Sequence, residues 1–145
     1  MVGARHFKEL IVWRLADELR RATFSLTDRP AFRRDLKLHS QTEDAVNSAC
    51  RNIAEGFGCE THREFARFLR IARRSLNELQ DAYEAALQKG YVSEEDLKVP
   101  RRWLRRIFPA LGRFIRYLDL PPDQRNRLRE KPLPGVDPDD RAPSH

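Results

Sequence analysis

The sequence predicts an all-α protein, built as an up-down-up-down antiparallel four-helix bundle. Apolar residues recur at alternating intervals of three and four along several segments, and no stretch alternates with a period of two for long. The loops between these segments are short, which favours antiparallel neighbours. Residues 40–43 and 61–64 have the capping-box pattern, a hydroxyl residue followed three positions later by glutamate, and mark two helix starts.

The first two helices are predicted over residues 7–26 and 40–57. The first carries an apolar stripe with 3/4 spacing and is broken by Thr-Asp-Arg-Pro at residues 27–30. Residues 31–38 form a short mixed segment. The second helix has small inward residues, and we expect Gly56 and Gly58 to end it, because glycine readily adopts the left-handed conformation at helix C-termini.

The third helix is predicted from residues 61–64 to Gly90 and has the most regular pattern in the chain. Its seam comprises Phe65, Leu69, Ala72, Leu76, Leu79, Tyr83 and Ala86. The fourth begins near Ser93, is disturbed at Pro100, and resumes with a seam of Leu104, Ile107, Leu111, Phe114 and Leu118. Pro109 lies inside that seam and is predicted to kink the helix, since proline removes a backbone hydrogen bond.

Composition changes after residue 118. Six of the nine prolines fall within residues 119–145, where apolar residues are scattered. We therefore predict a bundle domain over residues 1–118 and a disordered tail without a core over residues 119–145.

The chain of 145 residues is basic, with a net charge of +6. Residues 61–118 hold 13 basic and seven acidic side chains, whereas residues 1–60 hold 10 and nine. A basic balance favours polyanionic partners. Cys50 and Cys59 are too far apart along a helix for a disulfide, and no Cys/His cluster occurs, so neither a metal nor a cofactor is predicted. The absence of a signal peptide or a membrane-length apolar run predicts a cytoplasmic protein with no membrane partner.

The centre of the chain carries a recognisable motif. It comprises Gln41, Ala45, Ser48, Asn52-Ile53-Ala54-Glu55-Gly56, Glu64-Phe65, Phe68-Leu69, Ile71-Ala72, Ser75-Leu76 and Glu78-Leu79. An opening motif precedes it, at Phe7, Leu10, Val12-Trp13, Ala16 and Leu19. Together these motifs resemble those of the 23S rRNA intervening-sequence proteins, a bacterial family of four-helix bundles, from Phe7 to about Leu118.

The resemblance implies a four-helix bundle that assembles as a ring-like homopentamer. Some genes of the family lie inside intervening sequences of 23S rRNA genes. A related branch serves diversity-generating retroelements, in which a basic pentamer binds RNA and reverse transcriptase. For most members no activity is assigned.

The chain departs from the family pattern at two places. Glu43 and Asp44 stand where basic residues usually follow the glutamine, and Arg74 stands where glycine usually precedes Ser-Leu. The first departure weakens an RNA-binding role for the second helix. The second adds charge to the third helix.

Arginines on the third and fourth helices are the candidate nucleic-acid contacts. Arg63, Arg67, Arg70 and Arg74 recur at i, i+4, i+7 and i+11, opposite the apolar seam. The fourth helix adds a looser band with Arg102, Arg105, Arg106, Arg113 and Arg116. The alternative is a solvated face with intrahelical ion pairs such as Arg74–Glu78.

The remaining motif residues predict structural roles. These family-motif positions are Asn52, Glu55, Gly56, Ser75 and Glu78. Asn52 and Glu55 are expected to hydrogen-bond the loop at the turn or a neighbouring subunit, because a lone carboxylate without a second acid, histidine or metal ligand is a poor catalyst. Surplus aromatic residues, which cannot all face one core, predict a subunit interface.

No catalytic residues are predicted, and the first hypothesis is a non-enzymatic homopentamer that binds RNA or a ribonucleoprotein. A protein-interaction scaffold without a nucleic-acid role is the alternative. A third hypothesis is a ribonuclease using Arg34 and His39, whose Arg-Asp-x-x-x-His spacing resembles the HEPN nuclease motif. That motif belongs on a long core helix, whereas here it precedes the second helix, which favours a chance match.

Overall fold

The computed structural model describes residues 4–127, and within them the chain is all-α, with no strand. A 3-10 turn over Phe7–Glu9 precedes six helices. These are α1 (Ile11–Thr27), α2 (Pro30–Arg34), α3 (Leu36–Phe57), α4 (His62–Gln88), α5 (Lys98–Asp119) and α6 (Pro122–Arg127). The four long helices α1, α3, α4 and α5 correspond to the four predicted from the sequence.

The long helices pack into a helical bundle around one core. Helix α3 packs against α1 and α4, and α5 packs against the same two helices. Every residue of the predicted α4 and α5 seams is buried, so the periodicity that predicted them is confirmed. A hydrogen bond between the Thr23 and Tyr83 hydroxyls, 2.5 Å long, joins α1 to α4 inside the core. Burial raises the pKa of Tyr83, which keeps this hydroxyl protonated.

Contacts between α3 and α4 show their relative direction. Ser48 meets Ser75 through a 2.8 Å hydrogen bond, and the Phe57 and Phe65 rings lie 6.3 Å apart. Residue numbers therefore rise along α4 as they fall along α3. Only residues 58–61 separate the two helices, so they form a hairpin.

The predicted start of the second helix was wrong. Helix α3 begins at Leu36, and Asp35 caps it by accepting a 3.1 Å hydrogen bond from the Leu38 amide. Thr42, which the capping-box prediction placed in the first turn, is buried and donates to the Leu38 carbonyl oxygen at 2.6 Å. The carboxylate of Asp35, five residues before the predicted cap at position 40, therefore caps α3 instead. The start at Thr61 is confirmed, since its hydroxyl accepts a 3.1 Å bond from the Glu64 amide.

The other predicted boundaries also shifted. Helix α1 begins at Ile11, after the 3-10 turn, rather than at Phe7. Helix α5 begins at Lys98 rather than Ser93, and in the turn before it the side chains of Ser93 and Asp96 each accept a hydrogen bond from the other's amide, at 3.1 and 2.8 Å. Pro109 lies within the continuous range of α5.

The glycines at the end of α3 act differently from the prediction. Gly58 caps the helix with a right-handed φ of −78°. Gly56 has no positive φ either, so neither glycine adopts the left-handed conformation. A Cβ on Gly56 would lie 2.8 Å from Phe65 Cδ1 and 3.0 Å from Phe68 Cβ. The α3–α4 hairpin therefore needs Gly56 for close approach. Among the glycines of residues 4–127, Gly90, just after α4, has a left-handed φ of +76°.

Helix α6 lies inside the segment for which we predicted no core, and none of its residues is buried. The rest of that predicted tail, residues 128–145, lies outside the described residues.

Candidate nucleic-acid interface

The first half of α4 presents four arginines to solvent. Arg63, Arg67, Arg70 and Arg74, named here the arginine stripe, are all exposed. Their i, i+4, i+7, i+11 spacing places them on the side of α4 away from the buried seam. Thr61 starts the helix immediately before them, so the stripe begins at the first turn.

The stripe arginines differ in their partners. Arg70 forms an ion pair with Asp119 at the end of α5. The Arg67 guanidinium lies over the ring of its neighbour Phe68, 4.9 Å from the centroid. Arg63 and Arg74 form no ion pair with any residue of the described range 4–127. The intrahelical pair Arg74–Glu78, which the alternative interpretation expected, is therefore not formed there.

The predicted arginines of α5 are exposed as well. These are Arg102, Arg105, Arg106, Arg113 and Arg116. The Arg106 guanidinium stacks over Trp103, 5.6 Å from the ring centroid. Arg101, which the sequence did not single out, instead holds Glu94 at 2.5 Å and Glu84 at 2.9 Å, and these carboxylates raise its pKa. Arg101 therefore ties α5 to α4.

Helices α4 and α5 lie side by side, with residue numbers rising along one as they fall along the other. Phe65 and Phe114 are 5.0 Å apart between ring centroids, and His62 and Tyr117 are 6.3 Å apart. This register places Arg113 level with the first turns of α4.

The outer face changes sign halfway along α4. Glu78, Asp81 and Glu84 occupy its exposed positions after the stripe. Glu78 and Asp81 also line an open groove of about 1060 Å³ between α3 and α4, together with Asp44 and Arg51. The sequence analysis missed this groove, because its two walls come from residues about 35 positions apart.

The motif residues Asn52 and Ser75 form a buried polar network between α3 and α4. The Asn52 amide donates to the carbonyl oxygen of Ser48 at 2.8 Å and to its hydroxyl at 3.1 Å. The Ser48 hydroxyl in turn meets Ser75. We had expected Asn52 to bond the loop or a neighbouring subunit, whereas within the described chain its side chain bonds Ser48 of the same helix. Glu55 and Glu78 are exposed, and within residues 4–127 neither forms an ion pair.

One end of the bundle holds a histidine that the sequence analysis did not single out. His62 begins α4, and its buried Nδ1 has no hydrogen-bond partner among the described residues. Burial and the nearby Arg125 lower its pKa. Thr61, His62, Arg63 and Arg125 line a shallow concavity of about 520 Å³.

Arg34 and His39, the residues of the ribonuclease hypothesis, lie on different helices, at the end of α2 and in the first turns of α3. Arg34 is exposed, and its Nε donates to the Pro30 carbonyl oxygen at 3.2 Å. His39 Nε2 lies 3.5 Å from Glu43 Oε2, and the same oxygen accepts from the Thr27 hydroxyl at 2.6 Å. Each side chain therefore has a local partner.

The described residues show two further properties. Within residues 4–127, no group of three or more His, Cys, Asp or Glu side chains is placed to hold a metal ion. Among the helices of that range, none is both long and apolar enough to cross a membrane.

Fold and site together define the class: an all-α bundle with exposed arginines along two neighbouring helices, α4 and α5. Residues 8–111 match the sequence profile of the 23S rRNA-intervening sequence protein family. This match covers more than half of the chain, so the protein belongs to that family. No curated protein sequence matches the chain.

Proposed function

We propose that the chain is an up-down-up-down antiparallel four-helix bundle that assembles into a cytoplasmic homopentamer. The cyclic packing of α1, α3, α4 and α5 and the opposed numbering across α3–α4 and α4–α5 support the bundle topology. Half-buried aromatic residues support further assembly, since such surface is commonly covered by a partner. They include Phe68, Trp103, Phe108 and Tyr117.

We further propose that this assembly is non-enzymatic and binds RNA, alone or within a ribonucleoprotein that can include a reverse transcriptase. The observation that carries the proposal is the set of exposed arginines on α4 and α5, of which Arg63 and Arg74 have no acidic partner within residues 4–127. Such side chains are available to neutralise phosphates and release their counterions.

The geometry of the arginines suits RNA in a second way. The Arg67 and Arg106 guanidinium groups are stacked over aromatic rings, which holds each planar group in place. A fixed planar guanidinium can pair with a phosphate through two parallel N–H bonds or stack on an unpaired base. Repetition of these arginines around a ring would multiply the phosphate contacts.

The test of RNA binding is a charge reversal, Arg67→Glu with Arg74→Glu. These positions avoid Arg70, which already forms an ion pair with Asp119. The matched control is Arg33→Glu with Lys37→Glu, two exposed cations on α2 and α3 away from the stripe. Fluorescence anisotropy would measure the affinity of each variant for a labelled single-stranded RNA and a labelled RNA hairpin.

We expect the stripe variant to lose more than about tenfold in affinity and to show a shallower dependence on salt. The control should lose much less, and both should elute from a sizing column at the wild-type volume. Equal losses in the two variants would indicate attraction to total charge and not to the stripe. Unchanged affinity in the stripe variant would refute the proposal.

Assembly is tested by light scattering, before and after nuclease and high salt. A particle of five times the 17.1 kDa chain mass would support the pentamer. Once nuclease and high salt have removed any bound RNA, a particle of any other size would contradict the pentamer.

The groove between α3 and α4 supports a second candidate function, a protein-interaction scaffold. Its walls combine carboxylates with amides and small apolar residues, a surface suited to a basic helix or peptide. A protein that co-purifies after nuclease and high salt, and is lost in Asp44→Lys with Asp81→Lys, would favour the scaffold.

A further inference from the structure

The described chain ends beside the arginine stripe. Arg125, in the last described helix, lines the same concavity as His62 and Arg63 at the start of α4. Arg125 also donates to the Leu120 carbonyl oxygen, which holds α6 against the end of α5. The last described residue, Arg127, is therefore two positions beyond a residue that lines the same concavity as the first arginine of the stripe.

The sequence beyond that point contains a short acidic segment. Residues 137–140 read Asp-Pro-Asp-Asp, with three carboxylates and no basic side chain. We name these residues the acidic segment. Its charge is opposite to that of the stripe.

We propose that the acidic segment docks on the arginine stripe of its own chain and competes there with RNA. The docking depends only on the stripe and the segment, whereas the competition rests on the proposed RNA-binding function. The occupant is thus a named part of the same polypeptide, and the contact is autoinhibitory.

The chain is long enough for this contact. Asp137 lies ten positions beyond Arg127, so the chain between their Cα atoms can span at most about 36 Å. The stripe from Arg63 to Arg74 rises only about 16 Å along α4, at about 1.5 Å per residue. The acidic segment can therefore reach every arginine of the stripe.

The stripe already binds one carboxylate from the same part of the chain. Asp119, at the end of α5, forms an ion pair with Arg70 in the middle of the stripe. Arg63 and Arg74, on either side, have no acidic partner within residues 4–127. The acidic segment would supply carboxylates to the positions that Asp119 does not reach.

Tethering makes weak ion pairs sufficient for competition. One exposed ion pair contributes too little to bind a free peptide. A segment on the same chain has an effective concentration in about the millimolar range, so a few such pairs occupy the stripe for much of the time. Salt screens these pairs, so the competition should fade as ionic strength rises.

The first experiment compares two triple neutralisations in the full chain. The test variant is Asp137→Asn, Asp139→Asn and Asp140→Asn. The control removes the same charge at exposed acids away from the stripe, through Asp28→Asn, Asp44→Asn and Glu95→Gln. Anisotropy with the labelled single-stranded RNA gives the Kd of each at low and high salt.

We expect the test variant to bind RNA about threefold to tenfold more tightly than the wild type at low salt. This gap should close at high salt, and the control should stay within about twofold of the wild type. Equal tightening of both variants, or no tightening of the test variant, would overturn the competition.

A second experiment detects contact between the acidic segment and the arginine stripe in the absence of RNA. Arg67→Lys keeps the charge and adds a primary amine to the stripe, so a zero-length carbodiimide reagent can join it to a carboxylate in contact. We expect this introduced amine to be linked to the carboxylate of Asp139 or Asp140, in a product that keeps the mass of one chain on a denaturing gel. The exposed Lys37, at the other end of α3, is the internal control and should not link to the segment.

The link should disappear at about 1 M salt, where the screening length is about 3 Å. No link at low salt would overturn the docking, even if RNA binds. If no variant binds RNA, the proposed function and the competition fail, and the crosslink still decides whether the segment docks.

Discussion

The two halves of α4 share one inner face and differ in their outer face. Leu69 in the first half and Leu79 in the second are both fully buried in the same core. On the outside, the first half presents the arginine stripe, whereas the second presents Glu78, Asp81 and Glu84. One helix therefore carries opposite charges on a common scaffold.

This difference shows which part of α4 the fold constrains. Packing against α3 and α5 requires apolar residues at the seam, because burial there stabilises the bundle. The exposed positions have no such requirement, and both signs of charge are compatible with the same helix. The sign of the outer charge is therefore informative about partners and not about fold.

The largest expected effect is a loss of stability, and it tests whether the inner faces of the two halves of α4 are equivalent. Leu69→Ala and Leu79→Ala should each lower the free energy of unfolding by about 2–5 kcal/mol, because each deletes buried methyl groups and leaves a cavity. Urea unfolding followed by circular dichroism measures both. The exposed Leu36→Ala should change stability by less than about 0.5 kcal/mol. A small effect at only one of the two leucines would mean that the halves do not share a core.

A smaller effect is expected at Gly56, which packs against the first half of α4. Gly56→Ala should lower the free energy of unfolding by about 1–3 kcal/mol, because its Cβ would lie 2.8 Å from a ring carbon of buried Phe65. Gly112→Ala in α5 is the matched control. Its Cβ would meet only the far end of the Arg116 side chain at 3.4 Å, so alanine should be neutral or stabilise by up to about 1 kcal/mol. Equal changes in the free energy of unfolding for the two variants would show that close approach of α3 and α4 is not the reason that position 56 needs glycine.

The outer face is tested by the salt dependence of RNA binding. Arg74→Gln should reduce the slope of log affinity against log salt by about one, since it removes one available phosphate contact. Arg70→Gln should reduce it less, because that guanidinium already holds Asp119. Glu78→Gln, in the acidic half, should not reduce the slope. A larger effect at Arg70 than at Arg74 would mean that RNA displaces Asp119.

The smallest expected effect concerns the C-terminal end of α4, where Lys89 and Tyr91 donate hydrogen bonds to Asp35. The Lys89 ammonium at 2.8 Å, the Leu38 amide and the Tyr91 hydroxyl at 2.9 Å lower the pKa of Asp35 to about 2. Because the folded pKa lies below the unfolded value of about 3.9, this contact stabilises the fold above that value. The stabilisation is lost as pH falls through about 2.

Asp35→Asn keeps a side-chain oxygen for the cap and removes the charge. Its melting temperature should lie below that of the wild type at neutral pH, and the two should converge as pH falls from about 4 to 2. A difference that stays constant over this range would show that the ionised carboxylate does not stabilise the fold.

Sequence reasoning was accurate where structure depends on neighbouring residues. The α4 and α5 seams and the Thr61 cap were read from spacings of three or four residues, which correspond to one helical turn. It failed at the start of α3, where Asp35 caps the helix in place of the predicted capping box at residues 40–43. Asp35 also bonds Lys89 and Tyr91, more than 50 residues away, so its advantage was invisible locally.

The sequence by itself determined the helical class, the buried seams and the exposure of the arginines, since all three follow from local periodicity. Only the tertiary structure decided which arginines are neutralised. Arg70 meets Asp119 across 49 residues, and Arg101 meets Glu84, because packing brings α4 and α5 together. The same packing requires glycine at position 56 and forms the groove between α3 and α4. These features depend on distances between helices, which no spacing along one helix contains.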